Sequence, residues 1–283
     1  MRFHDFAQAH GLLIRDLYPS QRIQRCPTAN KPTQKNGAYS WDGERGWVFA
    51  WDGDATIHFY GSTDRPWTEQ EKSEWKRKRD SEQADRVRQQ RKAADTAQSM
   101  INQAKLDVHG YLSFKGFTSE RGLVLNDVLL IPMRNYETGA LQSVQQISWN
   151  GSIRKWEKKM LFGGKAKGAI YRIGSKTASE TFLCEGYATG LSIATALRGA
   201  GSSGSVLVCF SDKNLEQVAA QVKGKKYIYA DNDASKAGEA AAIKSGVPYC
   251  MSDTVGNDAN DDHQKHGIFM VIKKLMEVRR NAS

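Results

Sequence analysis

Short aromatic-rich runs fill the first part of the chain. Residues 21–25, 37–41, 47–51 and 56–60 are separated by Asn-Gly, Asp-Gly and Gly turns, which is the pattern of β-hairpins. Ahead of them, residues 3–10 have helical spacing and stop at Gly11. Together these features predict a small β-rich unit over residues 1–62. Most of its aromatics (Tyr39, Trp41, Trp47, Phe49, Trp51, Phe59, Tyr60) are expected to form the sheet core. A minority are candidates to stack on unpaired bases, with Arg22, Arg25, Lys31 and Lys35 along the phosphates.

Strand periodicity then stops. Residues 63–106 begin with a capping box at Thr68-Glu69-Gln70-Glu71 and continue as Lys, Arg, Glu, Gln and Ala, all strong helix formers. Apolar residues are sparse (Trp75, Val87, Met100, Ile101), so the segment is polar nearly all round. It predicts one long helix or a helical pair. Between Glu71 and Lys92 stand nine basic and five acidic residues. The segment is either a solvated linker or an arm that touches DNA through Lys76, Arg77, Arg79 and residues 86–92.

Residues 107–174 return to strand-like patterning at 128–134, 141–149 and 169–173, with a turn at Glu137-Thr138-Gly139. Lys155, Lys158, Lys159, Lys165 and Lys167 gather around Gly163-Gly164. Gly164-Lys165 lacks the spacing and the following Ser/Thr of a phosphate-binding P-loop, so no ATPase motor is expected. From residue 175 onward apolar strands at 181–184, 205–210, 227–230 and 247–251 alternate with helices at 188–197, 214–222, 236–245 and 262–278. Such alternation with short loops predicts a parallel, Rossmann-like sheet with helices on both faces.

Charge sharpens this division. The 283 residues carry 41 Lys and Arg against 31 Asp and Glu, a net charge of +10. Residues 1–174 hold 28 basic and 19 acidic groups, and the remainder 13 and 12. A basic body joined to a near-neutral one points to a polyanion partner. No apolar run approaches the roughly 20 residues of a membrane span, and the N-terminus shows no apolar secretion signal. The four cysteines are scattered singly, so no disulfide framework, no membrane contact and a cytoplasmic location are expected.

In open parallel sheets, ligands bind beyond the carboxyl ends of the strands. Glu185-Gly186 follows the first strand of the alternating region and Asp231-Asn232-Asp233 the third. The fourth leads into Gly256-Asn257-Asp258-Ala259-Asn260-Asp261-Asp262. Any one of these is an ordinary helix cap or solvated loop. All three at successive strand ends predict a convergent carboxylate set. Such a set repels itself unless a cation neutralises it. Oxygen ligands without His or Cys select a hard ion, Mg²⁺ or Mn²⁺.

Cys184-Glu185-Gly186-Tyr187-Ala188-Thr189-Gly190, Asp231-Asn232-Asp233 and Gly256-Asn257-Asp258-Ala259-Asn260-Asp261 resemble the three motifs of the TOPRIM domain. That domain is shared by bacterial-type primases, topoisomerases and some nucleases, and these forms are most similar to primases of phages and mobile elements. Gly110-Tyr111-Leu112, Ile131-Pro132-Met133-Arg134 and Gly163-Gly164 resemble the basic subdomain that precedes it. The resemblance implies an α/β fold in four parts. These are a β-rich unit (1–62), a charged helical linker (63–106), a basic subdomain (107–174) and a TOPRIM catalytic domain (175–283).

It further implies a DNA primase that makes short primers on single-stranded DNA from nucleoside triphosphates, served by a separately encoded helicase or replication protein. Asp231 and Asp233 would hold Mg²⁺ or Mn²⁺, Asp258 and Asp261 would complete the site, and Glu185 would bind the ion or accept a proton. Arg134, Lys159 and Lys165 would meet the triphosphate or template. Such primases begin with a zinc ribbon, whereas here Cys26 has no partner at ligand spacing among His4, His10 and His58, so no zinc is expected. The alternatives are a TOPRIM nuclease and a non-catalytic single-stranded DNA-binding accessory protein.

Overall fold

The computed structural model describes residues 2–53, 56–61 and 69–282. The side chains of Gln21 and of most positions from 69 to 79 lie outside that description, including Lys76, Arg79 and the expected capping box at 68–71. The chain divides into two units, Met1–Arg79 and Asp80–Ser283.

The first unit holds α1 (Phe3–Ala9) and the strands β1 (Ser20–Cys26), β2 (Gly37–Trp41), β3 (Gly46–Ala50) and β4 (His58–Tyr60). The strands pair antiparallel in that order. Strand residues alternate between faces, and α1 covers the face that carries Tyr39, Trp41 and Val48. Phe3 stacks on Trp41 at 5.5 Å and meets Tyr60 edge-on at 5.3 Å. Cys26 is buried in this apolar cluster, which pushes its thiol up to about 11. The aromatics therefore split: Tyr39, Trp41 and Tyr60 pack in the core, while Trp51 and Phe59 are exposed.

Helix α2 (Glu69–Gln103) carries the chain from the first unit into the second as one helix. Its Ala93 and Ala97 are buried, and Met100 packs with Ala97 against the sheet.

The second unit opens with β5 (Lys105–Asp107), α3 (Gly110–Phe114), β6 (Gly122–Leu125), β7 (Val128–Asn135), β8 (Leu141–Asn150), β9 (Lys155–Met160) and β10 (Ala169–Ile173). It continues with β11 (Glu180–Cys184), α4 (Tyr187–Gly199), β12 (Ser205–Val208), α5 (Asp212–Gln221), β13 (Lys225–Ala230), α6 (Ala237–Ser245), β14 (Tyr249–Met251), α7 (Ala259–His266) and α8 (Ile268–Asn281). The sheet order is β14-β13-β11-β12-β10-β7-β6-β5, with β8 on β7 and β9 on β8. Strands β14, β13, β11 and β12 are parallel. Strand β10 runs antiparallel to both β12 and β7, so the expected boundary between 174 and 175 falls between two strands of one sheet.

Helices cover both faces of the parallel part, as the alternation predicted. Phe182, Val206 and Tyr229 pack with α4 and α8 on one side. Leu183, Leu207 and Ile228 pack with α5 and α6 on the other. The expected helix at 262–278 is instead two, α7 and α8, broken at Gly267, whose φ of +79° suits glycine. Strands β5, β6 and β9 and helix α3 were not anticipated. No helix among the described residues is long and apolar enough to cross a membrane.

Candidate active site

Glu185 leaves β11 just before α4, whose N-cap is Gly186. Helix α4 lies tight against the sheet: a Cβ on Gly190 would stand 2.6 Å from Val208. Thr189, on the first turn, is buried and donates its hydroxyl to Asp258 Oδ2 at 3.0 Å. The first and third acidic motifs are thus joined by a side-chain hydrogen bond.

Asp231 follows β13. Gly238 of α6 packs on its backbone, where a Cβ would lie 2.7 Å from the Asp231 carbonyl oxygen. The next residue bridges to the third motif: the Asn232 amide donates to the Asn257 carbonyl at 3.2 Å, and Asn232 Nδ2 donates to Ser252 at 2.9 Å. Asp258 is the N-cap of α7, accepting the amides of Asn260 and Asp261 at 2.7 and 2.9 Å. Asp261 accepts the Asp258 amide at 3.2 Å, closing a capping box.

The three strand ends therefore converge, but the carboxylates differ in state. Asp231 Oδ1 is buried and has no hydrogen-bond partner. Burial, then Asp258, then Glu185 push its pKa up to about 7, and Lys158 offsets part of the rise. Glu185 is also raised, first by burial and then by Asp212. Asp233 is exposed and turned into its own loop, accepting from Ser235 Oγ at 2.7 Å, which holds its carboxyl below the usual range. Asp258 and Asp261 spend oxygens on the cap.

The basic residues fall in different places. Lys158, exposed on β9, lies close enough for its charge to lower the carboxyls of both Asp231 and Glu185. Lys159 points to the other face of the same strand and pairs with Glu157 at 2.6 Å. Arg134 is exposed and donates to the Gly139 carbonyl at 3.3 Å, closing its own hairpin. Lys165 is half-buried in the loop just after the turn that follows β9.

In the first unit, Arg22 and Arg25 line a surface groove of about 490 Å³ with Tyr18, Ser20, Ile23 and Gln24. The Arg25 guanidinium sits 3.8 Å from the Trp51 ring centroid. Lys31 and Lys35 are exposed in the loop after β1, and Arg77 is exposed on α2.

Three further side chains stand at this cluster that were not among the predicted site residues. Lys158 was grouped with its neighbours but not singled out. Tyr111, with a buried and unpartnered hydroxyl, lies beneath Lys158 Nζ at 5.8 Å from the ring centroid. Asp262 is buried and accepts from Ser252, Asn257 and Tyr229 at 2.7, 3.0 and 3.2 Å, so it braces the loop. Only its place in the Asn-Asp-rich run hinted at a role.

A hard divalent cation keeps much of its water shell and takes one or two carboxylates from a protein. Among the described residues no three acidic, His or Cys side chains are grouped to hold one ion. An orphaned Asp231 oxygen between two like-charged neighbours fits the sparser arrangement, in which phosphate oxygens and water supply the other ligands.

Residues 180–268 match the Toprim domain. The Toprim domain here runs from β11 into the start of α8 and includes Glu185, Asp231, Asp233, Asp258 and Asp261. Its architecture, four parallel strands at one end of the sheet with helices on both faces, is the α/β fold that the three motifs implied. Among solved structures, one described as the structure of the DnaG catalytic core is similar over 68% of this chain and 71% of that one. The identity is 13% and the TM-score 0.36. No curated protein matches the chain.

Proposed function

We propose that this chain is a DNA primase of the phage or mobile-element type, joining nucleoside triphosphates on single-stranded DNA. The observation that carries the reading is Asp231 Oδ1, a carboxylate oxygen buried without a hydrogen-bond partner where three strand ends of a Toprim domain meet. Such a group is unfavourable for folding alone and is explained by a cationic ligand. Asp231 with Glu185 or Asp258 would hold Mg²⁺ or Mn²⁺, and Asp233 would join after leaving its loop. When bound, the ion supplies charge neutralisation at the phosphate oxygens.

The chain's own residues supply the rest. Glu185, whose carboxyl is raised by burial, would accept the proton of an attacking 3′-hydroxyl. Lys158 offers a compact positive charge to the triphosphate, with Lys159, Lys165 and Arg134 on the template side. Arg22, Arg25, Lys31 and Lys35, and Lys76, Arg77 and Arg79 on α2, would track the single strand. A separately encoded helicase or replication protein would deliver the template, within the cytoplasm.

The test is primer synthesis on unprimed single-stranded DNA with labelled nucleotides and Mg²⁺ or Mn²⁺, comparing wild type with Asp231→Asn. Short products from wild type, lowered about 10²-fold or more in the variant, are expected. Shortened template without new strands would replace the primase with a nuclease. Neither outcome, with DNA binding intact, would leave an accessory binding protein.

A further inference from the structure

Phe162 follows β9 and is 92% exposed. The residues around it explain why it stays outside. Leu161 packs with Ala97, Leu130 and Val144, and its amide donates to the Val144 carbonyl at 3.1 Å. The Gly164 amide returns to the Leu161 carbonyl at 3.0 Å, closing a turn with Phe162 and Gly163 at its centre. Gly163 has φ +78°, a conformation that favours glycine at this place in a turn. Gly164 admits no side chain, because a Cβ would lie 2.1 Å from Ser143 Oγ. The other side of the turn backs on α2, with the Gln89 carbonyl 3.5 Å from where a Gly163 Cβ would be. The turn is clamped on two sides and holds the ring out.

The surroundings are basic. Between Lys155 and Lys167 there are five lysines and one carboxylate, Glu157, which pairs with Lys159. Arg86 and Lys92 stand three positions either side of Gln89 on α2 and are exposed. A fixed, solvent-facing aromatic ring set among cations complements a ligand with flat apolar faces joined by anionic links.

We propose that Phe162 is a stacking platform for an unpaired base of single-stranded nucleic acid, with the neighbouring lysines on its phosphates. The choice of ligand rests on the polymerase reading above, and the geometry is independent of it. Phe162→Ala in the full chain removes no buried contact, so folding is retained.

The experiment measures binding of a labelled oligothymidylate and of an abasic oligonucleotide of equal length. Phe162→Ala should weaken the first roughly 5- to 100-fold. Phe162→Trp should restore it, and the abasic ligand should bind all three proteins alike. The salt dependence should not change, because the cations remain. Equal oligothymidylate affinity for wild type and Phe162→Ala overturns the proposal and assigns the ring to another partner, such as a protein. Equal loss on the abasic ligand overturns it too, since the effect would then not involve a base. Primer synthesis on the same preparations separates the two claims. Phe162-dependent binding without wild-type synthesis sinks the polymerase reading alone. Synthesis with Phe162-independent binding sinks the stacking alone.

Discussion

Burial and two neighbouring carboxylates make Asp231 hold its proton until about pH 7, and this has a consequence for stability. Well below pH 4 the group is protonated in both folded and unfolded chains and contributes no difference. As pH rises toward 7 the unfolded chain ionises first, which favours unfolding. Above 7 the penalty is complete, roughly 4 kcal/mol at most. Metal-free Asp231→Asn is therefore expected to be more stable than wild type at pH 8, and the two should converge near pH 4. Urea unfolding across that range checks this; parallel curves would refute it. The strand-end carboxylates were legible because a topology rule says where they meet. Lys158 was not, because only the pleat of β9 separates it from Lys159, and a strand exposed along most of its length shows no apolar period.

Two glycines set how close the helices of the Toprim part come to the sheet. Gly238→Ala would press a methyl into the Asp231 backbone, which cannot swing aside as a side chain would. A loss of about 1–3 kcal/mol in denaturant stability is expected. On the primase reading, primer synthesis should fall by more than the folded fraction does, because the displaced atom belongs to Asp231; unchanged synthesis would mean that the loop position is not critical. At this scale the α/β alternation was readable, since apolar strands and amphipathic helices repeat with short loops. The polar strand Lys155–Met160 and the three-residue strand Lys105–Asp107 lack that contrast. The break at Gly267 was hidden because helical composition continues on both sides of it.

Across the second unit, contacts distant in sequence hold the starts of β11 and β12 to the last helix. Arg279 Nε donates to Glu180 Oε2 at 3.0 Å, and its Nη2 bonds Glu180 Oε1 and also Ser202. The pair is mostly sheltered, so Arg279→Met leaves Glu180 without its main partner. A loss of roughly 3 kcal/mol is expected, partly recovered by adding Glu180→Gln; thermal unfolding of the single and double variants decides it. None of this was visible in the sequence, where 98 residues separate the partners.

Strand β10 runs antiparallel to a locally paired neighbour on one side and to the parallel strands on the other. Amides of β7 and β12 should consequently share one opening free energy in native-state hydrogen exchange, as members of a single cooperative unit. Severing the backbone near Gly174 would then leave two fragments that find each other again rather than two domains that fold alone.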